Sequence, residues 1–412
     1  MSEQSTPVGV PTATSSDPQS AEIGLAARAF FPDATRVTVY GDDLLRVDDA
    51  DNIWKVRRWR RGATPERIRF VHQMLAAGRA AGIESIPEAA RLADGSGGVF
   101  LLRERVYDAQ TWLPGTPLAQ IAQESGPDGE HVNLPVIVRP AAWELTIQAV
   151  AALHAATSAL AIRPNAPAMP LGVVGETTRR AWEYHRQRLR PMAPRYTIIQ
   201  RWMRTAERAI YAALEALEAE PDLAQAIDVA GHHDLWPSHV LWIRGGRDGG
   251  GGPARLGGII DFAEASAGSP LVDLAHLVTH FGGWTAERAE TAMGIYGDVR
   301  RLTPDERRLL PAVATLDLIA QAGKLLTIAF ALPERAEEAA SSQLKMGATA
   351  LVESLEVVTP VLLRGDAPIR PIKKRWIPRR QLPSPSGRPR PDRPPRQPGS
   401  RPRTPQRPGT DR

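Results

Sequence analysis

The 412-residue sequence contains no cysteine, which excludes a disulfide framework, thiolate metal ligands and a thiol nucleophile. It has no uninterrupted apolar run of about 18 residues, so the sequence predicts no membrane-spanning segment. Residues 1–20 lack the basic and apolar stretches of a secretory signal. These absences together favour a cytoplasmic protein. Apolar residues make up 42% of the chain and charged residues 24%, as is typical of globular domains.

The net charge of +5 is distributed unevenly along the chain. Residues 364–412 hold 15 basic and 3 acidic residues, whereas the other 363 residues hold 36 basic and 43 acidic ones. The basic character therefore belongs to the C-terminal tail and does not indicate a nucleic-acid-binding core. The tail also contains 13 prolines, which remove backbone donors, so we expect it to be extended. We expect at most weak contact of this tail with nucleic acid or an anionic surface.

Composition and hydrophobic patterning divide the chain into four segments. The ends, residues 1–20 and 364–412, are expected to be disordered because they cannot bury a core. Residues 21–115 predict a β-rich N-lobe followed by a hinge, and residues 116–363 predict a helical C-lobe. The expected fold class is therefore α+β and bilobal, with a small antiparallel lobe and a larger helical one.

Periodicity supports this division. Residues 36–59 alternate polar and apolar side chains, with turn signals at 41–43 and 49–52, so they predict an antiparallel sheet. Residues 65–81 have helical spacing and place four side chains on one apolar face, namely Ile68, Val71, Leu75 and Ala76. Residues 99–107 predict another strand, which runs toward a break at Pro114-Gly115. Further helices are expected at 141–160, 180–189, 198–217, 286–295, 304–332 and 336–358.

Polar residues gather around a predicted hairpin formed by residues 240–243 and 259–262. His232, His233, Asp234 and His239 lie within eight positions, and a turn at Pro237-Ser238 would hold Asp234 and His239 near the first strand. Asp261 is expected at the end of the second strand, beside them. An acid, an imidazole and a second acid are the minimum for placing a metal next to a general base.

Three interpretations of this cluster remain open from the residues alone. The His-Asp doublet is compatible with a metal-dependent phosphohydrolase, although such doublets usually lie on helices and Pro237 indicates a loop. The histidines are also compatible with satisfied polar residues at a strand edge. The third interpretation takes the spacing of the whole cluster as functional.

The third interpretation is supported by a resemblance. The segment HHDLWPSHVL (232–241) resembles the HGDLHPGNVL motif of the aminoglycoside phosphotransferase and choline kinase-like family, which has a protein-kinase-like fold. IIDFAEASAGSPLVDLAHL (259–277) is similar to that family's metal-binding strand and Asp-Leu-Ala helix. AVAALHAA (149–156) and TWLPGTPL (111–118) resemble its LHA helix and its hinge. The likeness covers roughly residues 25–290 in the right order.

The resemblance implies an ATP-dependent phosphotransferase acting on a hydroxyl group of a small metabolite or antibiotic. Phosphoryl transfer requires positioning and charge neutralisation more than covalent chemistry. The implied catalytic residue is Asp234, the implied metal ligands are Asp261 and His239, and the implied supporting residues are His232, Asp273 and His154. A basic residue for the phosphates is expected on the third strand, at Arg57 or Lys55. The adenine is expected at the backbone of the hinge, at Gln110, Trp112 and Leu113.

The sequence departs from the family pattern at three points. His239 occupies the position of an asparagine that serves as the second metal ligand, and Mg²⁺ prefers oxygen ligands whereas Mn²⁺ tolerates imidazole. No glycine-rich GxGxxG loop precedes Trp54, and the helix glutamate that would pair with the small-lobe cation is not assigned, because Glu66 lies too early in its helix. The expected cofactors are therefore ATP with Mg²⁺, or Mn²⁺ in view of His239.

Two further functions are weighed against the kinase. One is a catalytically weak kinase-like module that binds a nucleotide or a partner, which His239 and the missing glycines motivate. The other is an RNA- or membrane-surface protein that works through its basic tail. The substrate cannot be read directly, but the basic stretch at 179–195 speaks slightly against a cationic aminoglycoside.

Overall fold

The computed structural model describes residues 18–41, 43–49, 52–122, 135–161, 167–245, 254–331 and 338–364. The tails predicted to be disordered lie outside these residues, apart from 18–20 at one end and Arg364 at the other. Most of the glycine-rich segment between the two strands of the central hairpin, residues 246–253, also lies outside them.

The small lobe is built on an antiparallel sheet of five strands in the order β1-β2-β3-β5-β4. Its strands are β1 Arg36–Gly41, β2 Leu44–Asp49, β3 Asn52–Arg58, β4 Val99–Leu102 and β5 Arg105–Thr111. The alternating pattern and turn signals at 36–59 correctly predicted the first three strands, because side chains on alternate positions face the core.

Two helices complete the small lobe: α1 Pro18–Phe30 and α2 Pro65–Ala80. Helix α1 was not predicted, although its apolar residues recur at helical spacing. It places Ile23, Ala27 and Phe30 in a core shared with Val47 and Val56 of the sheet. The helix begins at Pro18, three residues before residue 21, where the N-lobe was expected to begin.

Two details of the predicted small lobe are wrong. Residues 99–107 form no single strand, because Arg103 and Glu104 adopt left-handed backbone angles with φ of 45° and 63° and turn the chain back. Neither residue is of the type that usually marks such a turn. Ala76 is exposed, while Ile68, Val71 and Leu75 are buried as expected.

The large lobe contains nine helices among the described residues: α3 Leu118–Ala122, α4 Pro140–Ala161, α5 Leu171–Leu189, α6 Thr197–Glu218, α7 Pro221–Gln225, α8 Leu271–Thr279, α9 Ala286–Gly297, α10 Pro304–Leu326 and α11 Glu338–Leu363. A π-helical turn, Thr327–Ala331, continues α10. All six helices predicted for this lobe are present, but α5 begins at Leu171, nine residues before its predicted start. Residues 332, 336 and 337 of the last two predictions lie outside the described residues. Helix α10 packs against α5, α6, α8 and α11.

Two helical segments are long and apolar enough to cross a membrane by length and composition. They are Pro304–Ala331, with 67% of its apolar window buried in the protein, and Ser342–Leu363, with 44% buried. The sequence had predicted no span. Helix α10 lies in the middle of the helical core, and core helices pass the same test, so this is weak evidence for a membrane segment.

Two small sheets hold the site in the large lobe. One has the order β10-β9-β6 and the other the order β7-β11-β8. Their strands are β6 Thr116–Pro117, β7 Ala168–Met169, β8 Val229–Gly231, β9 Val240–Ile243, β10 Arg255–Ile259 and β11 Ser266–Gly268. The predicted hairpin is present as β9 and β10, but its second strand ends at Ile259 rather than at Phe262, which begins a 3₁₀ turn.

The glycines of β10 explain how the hinge packs against this hairpin. A Cβ atom on Gly257 would approach the Pro114 carbonyl oxygen to 2.2 Å, and one on Gly258 would approach Leu113 Cδ1 to 2.4 Å. Only a strand without side chains at these positions lets the hinge lie so close. The structure is thus the expected bilobal α+β fold.

Candidate active site

A cavity of about 420 Å³ lies between the two lobes. Its small-lobe and hinge lining includes Asp43, Leu44, Lys55, Arg57, Pro87, Gln110, Thr111, Trp112, Leu113, Gly115 and Pro117. The large lobe contributes His239, Leu241, Ile260 and Asp261. Seven of the site residues expected from the sequence therefore line one cleft.

Asp234 lies on the loop that follows β8, and this loop is held by Asp273 at the start of α8. The Asp273 carboxylate accepts the backbone N–H of His232 and of His233, each at 2.7 Å. It also accepts the Nε2–H of His154, from α4, at 2.9 Å. His233 has a left-handed φ of 60°, so the loop bends at the residues whose N–H groups donate to Asp273.

Asp273 is 1% exposed. Burial alone would raise the pKa of its carboxyl, but the hydrogen bond from His154 and the neighbouring histidines hold that pKa well below its usual range. The carboxylate is therefore ionised and fixes the loop by charge-assisted hydrogen bonds.

His232 joins the Asp234 loop to the segment that carries Asp261. Its Nε2–H donates to the Ile260 carbonyl oxygen at 2.8 Å, and its Nδ1 accepts the Asp234 backbone N–H at 3.3 Å. These two bonds require the neutral tautomer protonated at Nε2. The ring thus sets the distance between the two segments that the sequence placed at one site.

Asp261 follows the end of β10 and has a left-handed φ of 64°, which turns its side chain into the cleft. Its Oδ1 lies 2.9 Å from Arg57 Nη1. Partial burial raises the pKa of the Asp261 carboxyl, but His239, Arg57 and Lys55 outweigh it and lower the pKa to about 2. The carboxylate is therefore charged and available to a cation at neutral pH.

His239 contacts both acidic segments. Its Nδ1 lies 2.6 Å from the Asp234 carbonyl oxygen, which can only accept, so Nδ1 carries the proton. Burial lowers the pKa of His239. The ring is then neutral at pH 7 and its Nε2 lone pair faces Asp261 Oδ2 at 3.8 Å.

The described residues contain no group of three or more His, Asp or Glu side chains that could hold a metal alone. His239 Nε2 and Asp261 Oδ2 nevertheless present two lone pairs 3.8 Å apart. A divalent ion at 2.0–2.2 Å from a nitrogen and an oxygen fits between two such donors. A two-ligand site of this kind suits a cation that arrives with nucleotide phosphates.

Two basic side chains face Asp261 from β3, as the strand alternation predicted. Arg57 is 13% exposed, and its Nη2 has no hydrogen-bond partner among the described residues. Burial and the charge of Arg57 lower the pKa of Lys55 to about 8. Both side chains are therefore cations at pH 7, and they lie beside Asp261 in the cleft.

The backbone N–H groups of the hinge differ in whether they already have an acceptor. The N–H of Thr111 donates to the Glu88 carbonyl and the N–H of Trp112 donates to the Ile53 carbonyl, both at 2.8 Å. The N–H of Leu113 has no acceptor within the described part of the chain. Of the expected hinge residues, Leu113 is thus the one with a free backbone donor.

The sequence analysis missed the residues that orient the Asp234 side chain. Trp236 Nε1–H donates to Asp234 Oδ1 at 2.9 Å. The Trp236 ring stacks on His280 with a centroid distance of 3.7 Å, and His280 Nε2 lies 2.9 Å from Asp317. Trp236 stands beside Asp234 in the motif, but its partner His280 directly follows α8 and Asp317 lies on α10, where no local pattern indicates them.

A small antiparallel β lobe joined to a helical lobe, with Asp261 and His239 in the lining of the cleft between them, is the architecture of the protein-kinase-like class. Asp234 is not in that lining, and its carbonyl oxygen accepts the Nδ1–H of His239. The family model described as "Phosphotransferase enzyme family" matches residues 41–312. The chain belongs to this family. The resemblance described in the sequence analysis is thereby confirmed.

Similar solved structures agree with this fold. An aminoglycoside phosphotransferase from Alicyclobacillus acidocaldarius has 15% identity and a TM-score of 0.55, and covers 82% of this chain and 94% of its own. A microcompartment-associated aminopropanol kinase has 14% identity and a TM-score of 0.53, with coverages of 84% and 98%. An amicoumacin kinase in complex with AMP-PNP, Ca²⁺ and Ami has 13% identity and a TM-score of 0.53, with coverages of 84% and 96%. No curated protein matches the sequence.

Proposed function

We propose that this protein transfers the γ-phosphoryl group of ATP to a hydroxyl group of a small molecule. The observation that carries the proposal is the joint arrangement of two acidic segments at one cleft. His232 and His239 tie the Asp234 loop to the Asp261 segment, and Arg57 and Lys55 supply positive charge opposite them.

Asp234 is the proposed catalytic residue. It accepts the proton of the acceptor hydroxyl while the oxygen forms a bond to the γ-phosphorus, and the bond from that phosphorus to the ADP oxygen breaks. Trp236 Nε1–H holds Asp234 Oδ1, and the acceptor hydroxyl is proposed to meet Oδ2. His232, Asp273 and His154 act as supporting residues, since they fix the loop.

Asp261 and His239 are the proposed ligands of a divalent cation, Mg²⁺ or Mn²⁺. When bound, such an ion neutralises charge on the phosphates. The imidazole nitrogen of His239 favours Mn²⁺ over Mg²⁺, because Mg²⁺ prefers oxygen ligands.

The nucleotide is proposed to lie in the 420 Å³ cavity. Arg57 and Lys55 bind its phosphates, and the adenine edge meets the hinge between Gln110 and Leu113, with Trp112 in the same segment. Backbone recognition makes side-chain identity at the hinge unimportant for this contact. A cytoplasmic location belongs to the same proposal, since ATP is available there.

The acceptor is proposed to be a small hydroxylated metabolite or antibiotic. Solved neighbours are described as acting on spectinomycin or amicoumacin, or as an aminopropanol kinase. The basic stretch at 179–195 does not discriminate among acceptors. Arg179 pairs with Glu176 and Glu183, and Arg180 pairs with Glu176, all within α5.

The catalytically weak module is not favoured, because the family and the neighbours are phosphotransferases. The tail-based function concerns residues outside those that the structure describes. Weak contact of this tail with nucleic acid or an anionic surface stays a prediction.

A screen of hydroxylated acceptors with labelled ATP tests the proposed function. Asp234→Asn should lower turnover by orders of magnitude and leave ATP affinity unchanged. Asp222→Asn, at an exposed position on α7, serves as the matched control and should behave like the wild type. A wild-type protein that binds no ATP and labels no acceptor in the presence of Mg²⁺ or Mn²⁺ would contradict the proposal.

A further inference from the structure

Asp108 is a buried carboxylate of β5 that no motif indicated. It is the Cα partner of Arg57 across the sheet and is 1% exposed. Trp59 Nε1–H donates to its Oδ1 at 2.9 Å, and Gln110 Nε2–H donates to its Oδ2 at 2.8 Å. His72 Nε2, from α2, lies 3.1 Å from the same Oδ2. Both oxygens of Asp108 are thus fixed in place.

Asp108 is charged in the folded protein. Burial alone raises the pKa of its carboxyl, but Arg57 and His72 outweigh burial and hold that pKa well below its usual range. A buried carboxylate with three donors and a neighbouring guanidinium cannot leave its position without losing all of them.

Arg57 lies between this fixed carboxylate and Asp261. Its Nη1 is 2.9 Å from Asp261 Oδ1, and its Nε is 3.6 Å from Asp108 Oδ1. Its guanidinium stacks over the Trp59 ring at 4.1 Å from the centroid. One cation therefore faces two carboxylates, and the closer of the two is the proposed metal ligand.

Helix α2 supplies no carboxylate to Arg57 among the described residues. Glu66, in its first turn, is 64% exposed and pairs with Arg69 at 3.0 Å. His72 of α2 contacts Asp108 instead of Arg57, and Arg67 of the same helix donates to the Ala263 carbonyl oxygen. The negative charge that accompanies Arg57 in the small lobe thus comes from the sheet.

We infer that Asp108 is a positioning residue whose charge lets Arg57 release Asp261 to the divalent cation. The inference rests on the proposed function. A metal that binds Asp261 displaces the Arg57 contact, and a mostly buried guanidinium left without a counter-charge would oppose this exchange. Asp108 keeps Arg57 compensated, so Asp261 can change partner.

The Asp108→Asn substitution removes the negative charge of the side chain and keeps its shape. The amide is isosteric, and Gln110 and His72 can reverse their donor and acceptor roles to match it. Arg57 then has Asp261 as its one close carboxylate among the described residues. We expect the Mn²⁺ concentration for half-maximal ADP binding to rise about tenfold, which corresponds to about 1.4 kcal/mol. Adenosine, which has no phosphates, should bind as it does to the wild type.

The measurement is calorimetric or fluorescence titration of ADP at a series of MnCl₂ concentrations. Glu22→Gln removes a small-lobe carboxylate that pairs with Arg103 away from the cleft, and it should leave the Mn²⁺ dependence unchanged. Thermal unfolding checks that each variant is folded.

A double-mutant cycle isolates the competition between Arg57 and the metal. In an Arg57→Met background the Arg57 contact with Asp261 is absent, so Asp108→Asn should no longer shift the Mn²⁺ dependence. Arg57→Met alone should tighten Mn²⁺ binding to the nucleotide-free protein, measured by the loss of the free Mn²⁺ electron-spin resonance signal. This second readout stands even where Asp108→Asn fails to fold.

The outcomes separate the inference from the proposed function. An unchanged Mn²⁺ dependence in Asp108→Asn, a shift that persists in the Arg57→Met background, or a parallel loss of adenosine binding would each overturn the inference alone. A wild-type protein that binds neither ADP nor adenosine would overturn the proposed function and the inference with it.

Discussion

Replacing Asp273 with asparagine is the sharpest test of how the catalytic loop is held. Its Oδ2 accepts two hydrogen bonds, from the His232 N–H at 2.7 Å and from His154 Nε2 at 2.9 Å. Its Oδ1 accepts the His233 N–H at 2.7 Å. An asparagine keeps one oxygen and turns an NH₂ group toward the other donors. Hydrogen bonds to charged groups contribute about 1.5–3 kcal/mol each, so we expect a loss of about 3–5 kcal/mol in the free energy of unfolding.

Urea unfolding at several pH values measures this loss. Because the pKa of Asp273 is lower in the folded protein than in the unfolded chain, its charge stabilises the fold above a pH of about 4. That contribution is lost as the pH falls further, so the difference between wild type and Asp273→Asn should shrink in acid.

The exposed Asp298→Asn, at the end of α9, is the control and should change stability by no more than about 0.5 kcal/mol. A loss below about 1 kcal/mol for Asp273→Asn, or a difference that grows as the pH falls, would refute the reasoning, since buried charge-assisted bonds cost more than that to remove.

Three further predictions concern the cleft. ADP affinity should fall as the pH rises through 8, because burial lowers the pKa of Lys55 to about 8 and its positive charge is lost above that value. Calorimetric titrations of Lys55→Met should show no such pH dependence. Trp236→Phe keeps the ring on His280 but removes the donor to Asp234, so kcat should fall about tenfold to a hundredfold at an unchanged KM for ATP, and an unchanged kcat would contradict the orienting role. His239→Asn replaces a nitrogen ligand with an oxygen and should raise Mg²⁺-supported relative to Mn²⁺-supported ADP binding, and an unaltered ratio would exclude His239 as a ligand.

Local sequence patterns predicted those helices and strands whose buried side chains recur at regular spacing within one segment. The first three strands follow from alternation at 36–59, and α2 follows from Ile68, Val71 and Leu75. Motif spacing alone indicated that Asp234 and Asp261 belong to one site. The structure adds the physical link between them, which is the pair of rings of His232 and His239.

Partners supplied by distant segments could not be predicted in this way. Asp108 lies opposite Arg57 only because β5 pairs with β3, a register that periodicity does not specify. The contact of Asp317 with His280 joins α10 to α8. The turn at Arg103-Glu104 was missed because its left-handed residues are not of the usual turn types.

The dependence of nucleotide binding on a divalent cation and on Asp261 tests the central claim most directly. Calorimetric titration of ADP into the wild type should show tighter binding with MnCl₂ than without it. Asp261→Asn should remove that enhancement while adenosine binding stays the same. Nucleotide binding that is equally tight with and without Mn²⁺, or an enhancement that survives in Asp261→Asn, would contradict the account.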